Sequence, residues 1–146
     1  MNVADSLVIR PATGTDLKKI IEIEQICFSN HPWDETTLSH YDCLVACVDG
    51  ITVGFLIYRE LFPASGETGG EVEILNLAVH PDHRRRGIGR ALLSHQLARG
   101  GRHFLEVRES NLAARKLYES MDFTEIGKRR WYYDNPRETA IVMQRK

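Results

Sequence analysis

Apolar positions along the chain repeat with two periods, one near 3.6 residues and one of 2. Leu7-Val8-Ile9-Arg10-Pro11 reads as a short first strand. Thr13 to Asp16 supplies turn and N-cap residues. Leu17, Ile20, Ile21, Ile23, Glu24 and Cys27 then fall on one helical stripe, with Lys18, Lys19, Glu22 and Gln25 mostly outside it. Ser29-Asn30-His31-Pro32 ends that helix, and Pro32-Trp33-Asp34 starts a short second one, with Asp34 placed to cap Thr37 to Tyr41. Cys43 to Val48 and Ile51 to Glu60 are strand-like runs, and Asp49-Gly50 between them signals a hairpin. Leu61 to Gly70, rich in glycine, serine and threonine, reads as a loop.

The second half repeats the alternation. Ile74 to Val79 is an apolar run of strand formers. Pro81-Asp82 forces a turn, a basic stretch with two glycines follows, and helical spacing runs from about Gly87 to Ala98, closed by Gly100-Gly101. His103 to Val107 is a fifth strand and Asn111 to Met121 a helix. Thr124 to Tyr133 and Thr139 to Gln144 are two closing strands joined around Asn135-Pro136. The order is β-α-α-β-β-β-α-β-α-β-β, with no repeat, low-complexity tract or linker. It predicts an α/β (α+β) fold, a mixed central sheet with helices on both faces, in a single domain over residues 1–146.

Composition narrows the function classes. Net charge is −1, so a basic loop is a local feature rather than part of a nucleic-acid-binding surface. No apolar run approaches the roughly 20 residues that span a bilayer, and Met1 to Arg10 lacks the layout of a signal peptide. The expectation is a cytoplasmic protein without membrane or nucleic-acid partners, and nothing demands more than a monomer. Cys27, Cys43 and Cys47 are odd in number. In a strand, Cys43 and Cys47 would sit about 13 Å apart, too far for a disulfide or for a shared zinc ion. They read as reduced structural residues. His80, His83, His95 and His103 show no metal-ligand spacing, so no metal is expected.

The chemistry concentrates in Glu73 to Leu93. The first turn of a helix has unpaired N–H groups and the positive end of the helix dipole. Gly87 and Gly89 allow close approach to the main chain, and Arg84, Arg85, Arg86 and Arg90 add forked donors. This combination suits a pyrophosphate; the plainer alternative is a solvated basic loop opening an ordinary helix. A P-loop would end in Gly-Lys-Ser/Thr, whereas this loop ends Gly-Arg-Ala. A Rossmann fingerprint needs a third glycine, and Leu92 stands there.

Leu77-Ala78-Val79-His80-Pro81 followed by Arg84-Arg85-Arg86-Gly87-Ile88-Gly89-Arg90 instead resembles the acetyl-CoA loop of the GNAT family of N-acetyltransferases. The element order is that of the same family, so the resemblance covers essentially the whole chain. Leu105-Glu106-Val107-Arg108, then Ser110-Asn111, Leu117-Tyr118-Glu119 and Phe123, are similar to the ribosomal-protein alanine N-acetyltransferases of the RimI type. Further matches are Phe28-Ser29, His31-Pro32-Trp33 and Arg129-Arg130-Trp131-Tyr132-Tyr133. Asp122 departs from the pattern, standing where glycine is usual, so that helix end is expected to close without its left-handed residue. Ser94 to Arg102 is also short, which predicts a helix shortened by a turn or so.

The resemblance implies an enzyme that transfers acetyl from acetyl-CoA to the N-terminal alanine of a small-subunit ribosomal protein. It places the general base on Glu106, directly or through a water, and the acid that protonates the CoA sulfur on Tyr118. Leu77, Ala78 and Val79 would offer main-chain groups to the pantetheine arm, with the Val79 N–H a candidate oxyanion donor. Arg85, Arg86, Gly87, Ile88, Gly89 and Arg90 would hold the diphosphate. Asn111 would touch the cofactor arm while also serving as an N-cap. Trp33, Tyr132 and Tyr133 are candidate walls for the acceptor peptide. Glu73 is a rival base. Open alternatives are another N-terminus, lysine or a small amine as acceptor, an idle CoA-binding module, and an RNA binder using Arg84 to Arg86.

Overall fold

A computed structural model describes residues 6–28, 34–63, 70–134 and 136–146. The elements are β1 (Leu7–Pro11), α1 (Leu17–Cys27), α2 (Glu35–Leu38), β2 (Asp42–Val48), β3 (Ile51–Phe62), β4 (Glu71–Val79), α3 (Ile88–Leu97), β5 (Arg102–Arg108), α4 (Leu112–Ser120), β6 (Thr124–Tyr133) and β7 (Glu138–Arg145). The strands form one seven-stranded mixed sheet, hydrogen-bonded in the order β1-β2-β3-β4-β5-β7-β6. This is the expected element order. The expected loop over Leu61 to Gly70 is corrected at its start, because β3 continues through Leu61 and Phe62. By compactness the chain divides into Met1–Arg59 with Asn76–Ala98 and Glu60–Leu75 with Arg99–Lys146.

In the first unit, β1 and β2 pair antiparallel, as do β2 and β3. The β2–β3 hairpin turns at Asp49 and Gly50, both left-handed at φ 52° and 79°, as a tight turn between right-twisted strands requires. Thr52 to Ile57 is buried without a break, which is why β3 reads as a continuous apolar run rather than an alternation. Burying Phe55, Leu56 and Ile57 contributes about 1.5–3 kcal/mol each. The pairing shifts between Ala46 and Cys47, which leaves Val53 as a bulge. Its carbonyl accepts from the His80 N–H at 2.8 Å and so anchors the exit of β4. A Gly54 Cβ would stand 3.0 Å from the Ala78 carbonyl oxygen, so a side chain where β3 passes that strand would press on its backbone.

Buried Asp16 ties the start of the chain together. Asp16, 5 % exposed, takes two hydrogen bonds from Arg10 at 2.8 and 3.0 Å, one from the Thr13 N–H at 2.7 Å and one from Thr52 Oγ1 at 3.4 Å. Asp34 caps α2, accepting from the Thr37 N–H at 2.7 Å as its sequence position predicts. All three cysteines are free thiols, and burial pushes the Cys43 thiol up to about 12, so it stays protonated.

In the second unit, the first half of β4 pairs parallel with β5, and β7 pairs antiparallel with both β5 and β6. β5 alternates, with His103, Leu105 and Val107 buried and Phe104, Glu106 and Arg108 on the less buried side. Helix α4 ends on a left-handed residue after all: Asp122 has φ 70°. The Phe123 N–H bonds the Tyr118 carbonyl at 3.0 Å and the Asp122 N–H bonds that of Glu119 at 3.1 Å, the two bonds of a Schellman motif. Asp122 therefore fills glycine's place rather than forcing another closure, since a short polar side chain tolerates this conformation better than most.

Strand β6 lies at the end of the sheet and is exposed nearly throughout. Its pairing with β7 is interrupted between Glu125 and Gly127 and again between Arg129 and Tyr133. Within the second interruption Trp131 sits at φ 56°, unusual for a bulky residue, with the Arg137 guanidinium 5.2 Å from its ring centre. Among the described residues no helix is long and apolar enough to cross a membrane.

Candidate active site

The basic loop of the first unit follows β4 directly. His80 caps a short turn at Pro81–His83, its Nδ1 accepting from the Asp82 N–H at 3.1 Å. Arg85 and Gly87 are both left-handed, at φ 63° and 77°. Gly87 is the N-cap of α3, and the first helical bond runs from the Ala91 N–H to the Gly87 carbonyl at 2.9 Å. The glycine is required by its backbone angle, since a Cβ there would meet nothing within 4 Å. The turns bring the loop backbone to the start of α3, where first-turn N–H groups have no acceptor one turn earlier. Ile88 is 1 % exposed and fastens that turn to the core. Helix direction, left-handed residues and exposed Arg85 and Arg86 fit an anionic diphosphate.

Arg84 does not belong to that group. Its Nε donates to the Val79 carbonyl at 3.2 Å and its Nη2 to Cys27 Sγ at 3.3 Å, so it ties the loop back to β4 and α1. The main chain expected to run beside the pantetheine arm is also partly engaged. Asn76 Oδ1 accepts from the Leu77 N–H at 3.0 Å, and the Val79 carbonyl is taken by Arg84. Ala78 is buried against Gly54.

The second unit gathers Glu106, Tyr118, Tyr132 and Tyr133 with Glu73. Glu73 pairs with Phe104 across parallel strands, which sets it on the same sheet face as Glu106. Burial raises the Glu106 carboxyl above the ordinary range; Arg129 opposes that shift, Glu73 adds to it, and a hydrogen bond from Tyr132 opposes it. Arg129 Nη1 lies 3.3 Å from Glu106 Oε1, and its guanidinium carbon is 5.1 Å from the Tyr132 ring centre. Glu106 Oε2 is buried with no hydrogen-bond partner among the described residues.

Tyr118 is 8 % exposed and meets Phe123 edge-on at 5.7 Å, the apolar contact that completes the Schellman motif. Burial pushes its phenol up to about 12, so it is a proton donor at neutral pH. Tyr133 is also held protonated, by burial first and then by the charge of Glu106. Arg108 lies 4.5 Å from the Tyr133 ring centre and donates to the carbonyls of Pro136 and Asp134 at 2.8 and 3.0 Å, bracing the β6–β7 connection.

Asn111 caps α4, its Oδ1 accepting from the Ala114 N–H at 3.2 Å. Trp33 lies outside the described residues. Among the described residues no group of three or more histidine, cysteine or acidic side chains is arranged to hold a metal. Sequence reasoning missed the ion pair between Arg129 and Glu106. Its signal exists only in the pairing of β5, β7 and β6, which local patterns do not reveal.

A half-buried carboxylate and a buried phenol in one unit, with a diphosphate-type loop in the other, are parts an acyl transfer to an amine would use. The acetyltransferase (GNAT) family matches residues 16–123, a span that enters both units. The [ribosomal protein bS18]-alanine N-acetyltransferase of Escherichia coli K12 is 38 % identical over 141 residues, covering 88 % of this chain and 90 % of that protein. The N-alpha-acetyltransferase RimI of Mycobacterium tuberculosis is 34 % identical, covering 97 % and 93 %. The crystal structure of the Escherichia coli ribosomal-protein-S18-alanine N-acetyltransferase superposes with a TM-score of 0.79 at 36 % identity, covering 94 % of this chain and 92 % of that one. On sequence and fold together, this chain belongs to the GNAT acetyltransferase family and is an acetyl-CoA-dependent acyltransferase of RimI-type kinship.

Proposed function

We propose that the protein acetylates the N-terminal alanine of a small-subunit ribosomal protein, with Glu106 as general base and Tyr118 as general acid. The observation that carries the chemistry is the state of these two groups. Glu106 is a carboxylate whose proton affinity is raised by burial, which makes it a better base than an exposed glutamate. Tyr118 keeps its proton at neutral pH, so a donor is in place when the sulfur departs. The amine nitrogen bonds to the thioester carbonyl carbon and the carbon–sulfur bond breaks. The amine proton goes to Glu106, and the Tyr118 hydroxyl proton goes to the departing sulfur. A peptide α-amine has a pKa of about 8, so only modest base assistance is needed.

The loop from Arg85 to Arg90 takes the diphosphate of acetyl-CoA, with Leu77, Ala78 and Val79 and the Asn111 side chain toward its arm. Tyr132, Tyr133 and Trp33 are assigned to the acceptor peptide. The choice of acceptor rests on the identity to the bS18-alanine enzymes. The protein works as a single catalytic domain, a monomer in the cytoplasm.

Incubation with acetyl-CoA and peptides beginning with alanine, with another residue, or with a blocked N-terminus and an internal lysine tests the proposal by mass spectrometry. The expected product carries one acetyl group on the α-amine of the alanine peptide. Glu106→Gln and Tyr118→Phe each lower kcat by roughly 100-fold or more, while Glu73→Gln lowers it far less. Full turnover in both of the first two variants removes them from the mechanism. Acetylation confined to lysine overturns the acceptor class.

A further inference from the structure

The second unit places a positive charge beside Glu106 that the residue roles given above do not use. Glu106 projects from β5 with its carboxylate largely desolvated, 18 % of the side chain being exposed. Glu73 on β4 shares its face, and the phenols of Tyr132 and Tyr133 on β6 come close enough to couple to it. Tyr118 on α4 is coupled to Tyr133 in turn. Opposite Glu106 in the pairing stands Val142 of β7, which carries no charge. Arg108, two residues along β5, is occupied with Glu138, Pro136 and Asp134. The positive charge beside the carboxylate comes from Arg129, 3.3 Å from Oε1.

We propose that Arg129 is a positioning residue for the transfer reaction: its guanidinium keeps the Glu106 carboxylate ionised and oriented, so that the base is ready when the acceptor amine arrives. A desolvated carboxylate beside another carboxylate gains a proton unless a cation offsets the cost. A base that is already protonated cannot accept the amine's proton. The second contact of Arg129, with the Tyr132 ring face, holds the guanidinium over Glu106 although the arginine is 57 % exposed. The β6 irregularity contributes the geometry. Regular pairing stops after Arg129, so Arg129 and Tyr132 need not alternate across the strand as residues three apart otherwise would.

The inference rests on Glu106 being the base, and the experiment separates the two. The pH dependence of kcat/KM is measured for the full chain, Arg129→Gln, Arg129→Lys and Glu106→Gln, with acetyl-CoA and an alanine peptide. Thermal unfolding of each variant checks that it is folded. With Arg129→Gln, kcat/KM on the acid side falls roughly tenfold, an opposite charge at this range being worth about one pH unit or more. The loss shrinks as pH rises and Glu106 ionises without help. Arg129→Lys restores most of the acid-side rate. A loss in Arg129→Gln that is equal at every pH, or an acid limb that does not move, overturns the positioning role while Glu106 stands. Full activity in Glu106→Gln overturns the base itself.

Discussion

Replacing Asp122 with glycine is expected to stabilise the protein without changing its chemistry. Asp122 is held at φ 70° by the two bonds that close α4, with the Tyr118 and Phe123 rings packed beside it. An ordinary L-residue pays about 1–2 kcal/mol for this conformation, with aspartate toward the lower end. Glycine removes that strain but loses about 0.5–1 kcal/mol more conformational freedom on folding. The net gain is at most about 0.5 kcal/mol. For a chain of 146 residues this raises the unfolding midpoint by up to about 2 °C. The alanine variant keeps the Cβ but loses the polar group that eases the conformation, so it falls below the parent by about 0.5–1 kcal/mol. Urea unfolding followed by far-UV circular dichroism reads all three. The left-handed strain is refuted if the glycine variant is no more stable than the alanine variant. Because Tyr118 is unmoved, kcat for Asp122→Gly should match the parent.

Gly54→Ala sets a Cβ 3.0 Å from the Ala78 carbonyl and is expected to cost about 1–3 kcal/mol in denaturant unfolding; no loss would show that β3 and β4 can part freely there. Asp16 is held down at about 2 by Arg10, against an ordinary 3.8, so its contribution is full above about pH 4 and is lost as pH falls through 2. Asp16→Asn should cost about 1–3 kcal/mol at neutral pH and flatten that acid decline in thermal melts. Arg86→Ala should raise KM for acetyl-CoA about tenfold, an effect that weakens with added salt. Arg84→Ala should instead lower stability with a smaller change in KM, because its contacts are to Val79 and Cys27.

Much of the fold was legible because the elements are written locally. Alternation, helical stripes and turn residues delivered every element in order, and β1 and β6 with their observed limits. The basic loop was legible for the same reason, since a strand, Pro81, arginines and glycines follow one another in sequence. What stayed hidden depends on partners far along the chain. Gly54 looks like any glycine in a strand until Ala78 is placed against it. Arg84 looks like its neighbours in the basic run, and only the position of Cys27 and Val79 separates it from them. Asp122 stands where glycine is usual, and residue type alone does not reveal that it takes the left-handed conformation itself instead of closing the helix without one.

Strand β6 also bears on how the chain behaves in a crowded solution. A free sheet margin invites another polypeptide to add itself through a row of donors and acceptors. Here the strand that carries the row is distorted twice, between Glu125 and Gly127 and between Arg129 and Tyr133 of its pairing with β7, and lysine and arginine side chains stand along it. An intruding strand could match only a few residues before losing step. The distortion that brings Arg129 and Tyr132 to one carboxylate thus also guards the molecule against templated aggregation, and straightening it would risk fibrils as well as turnover.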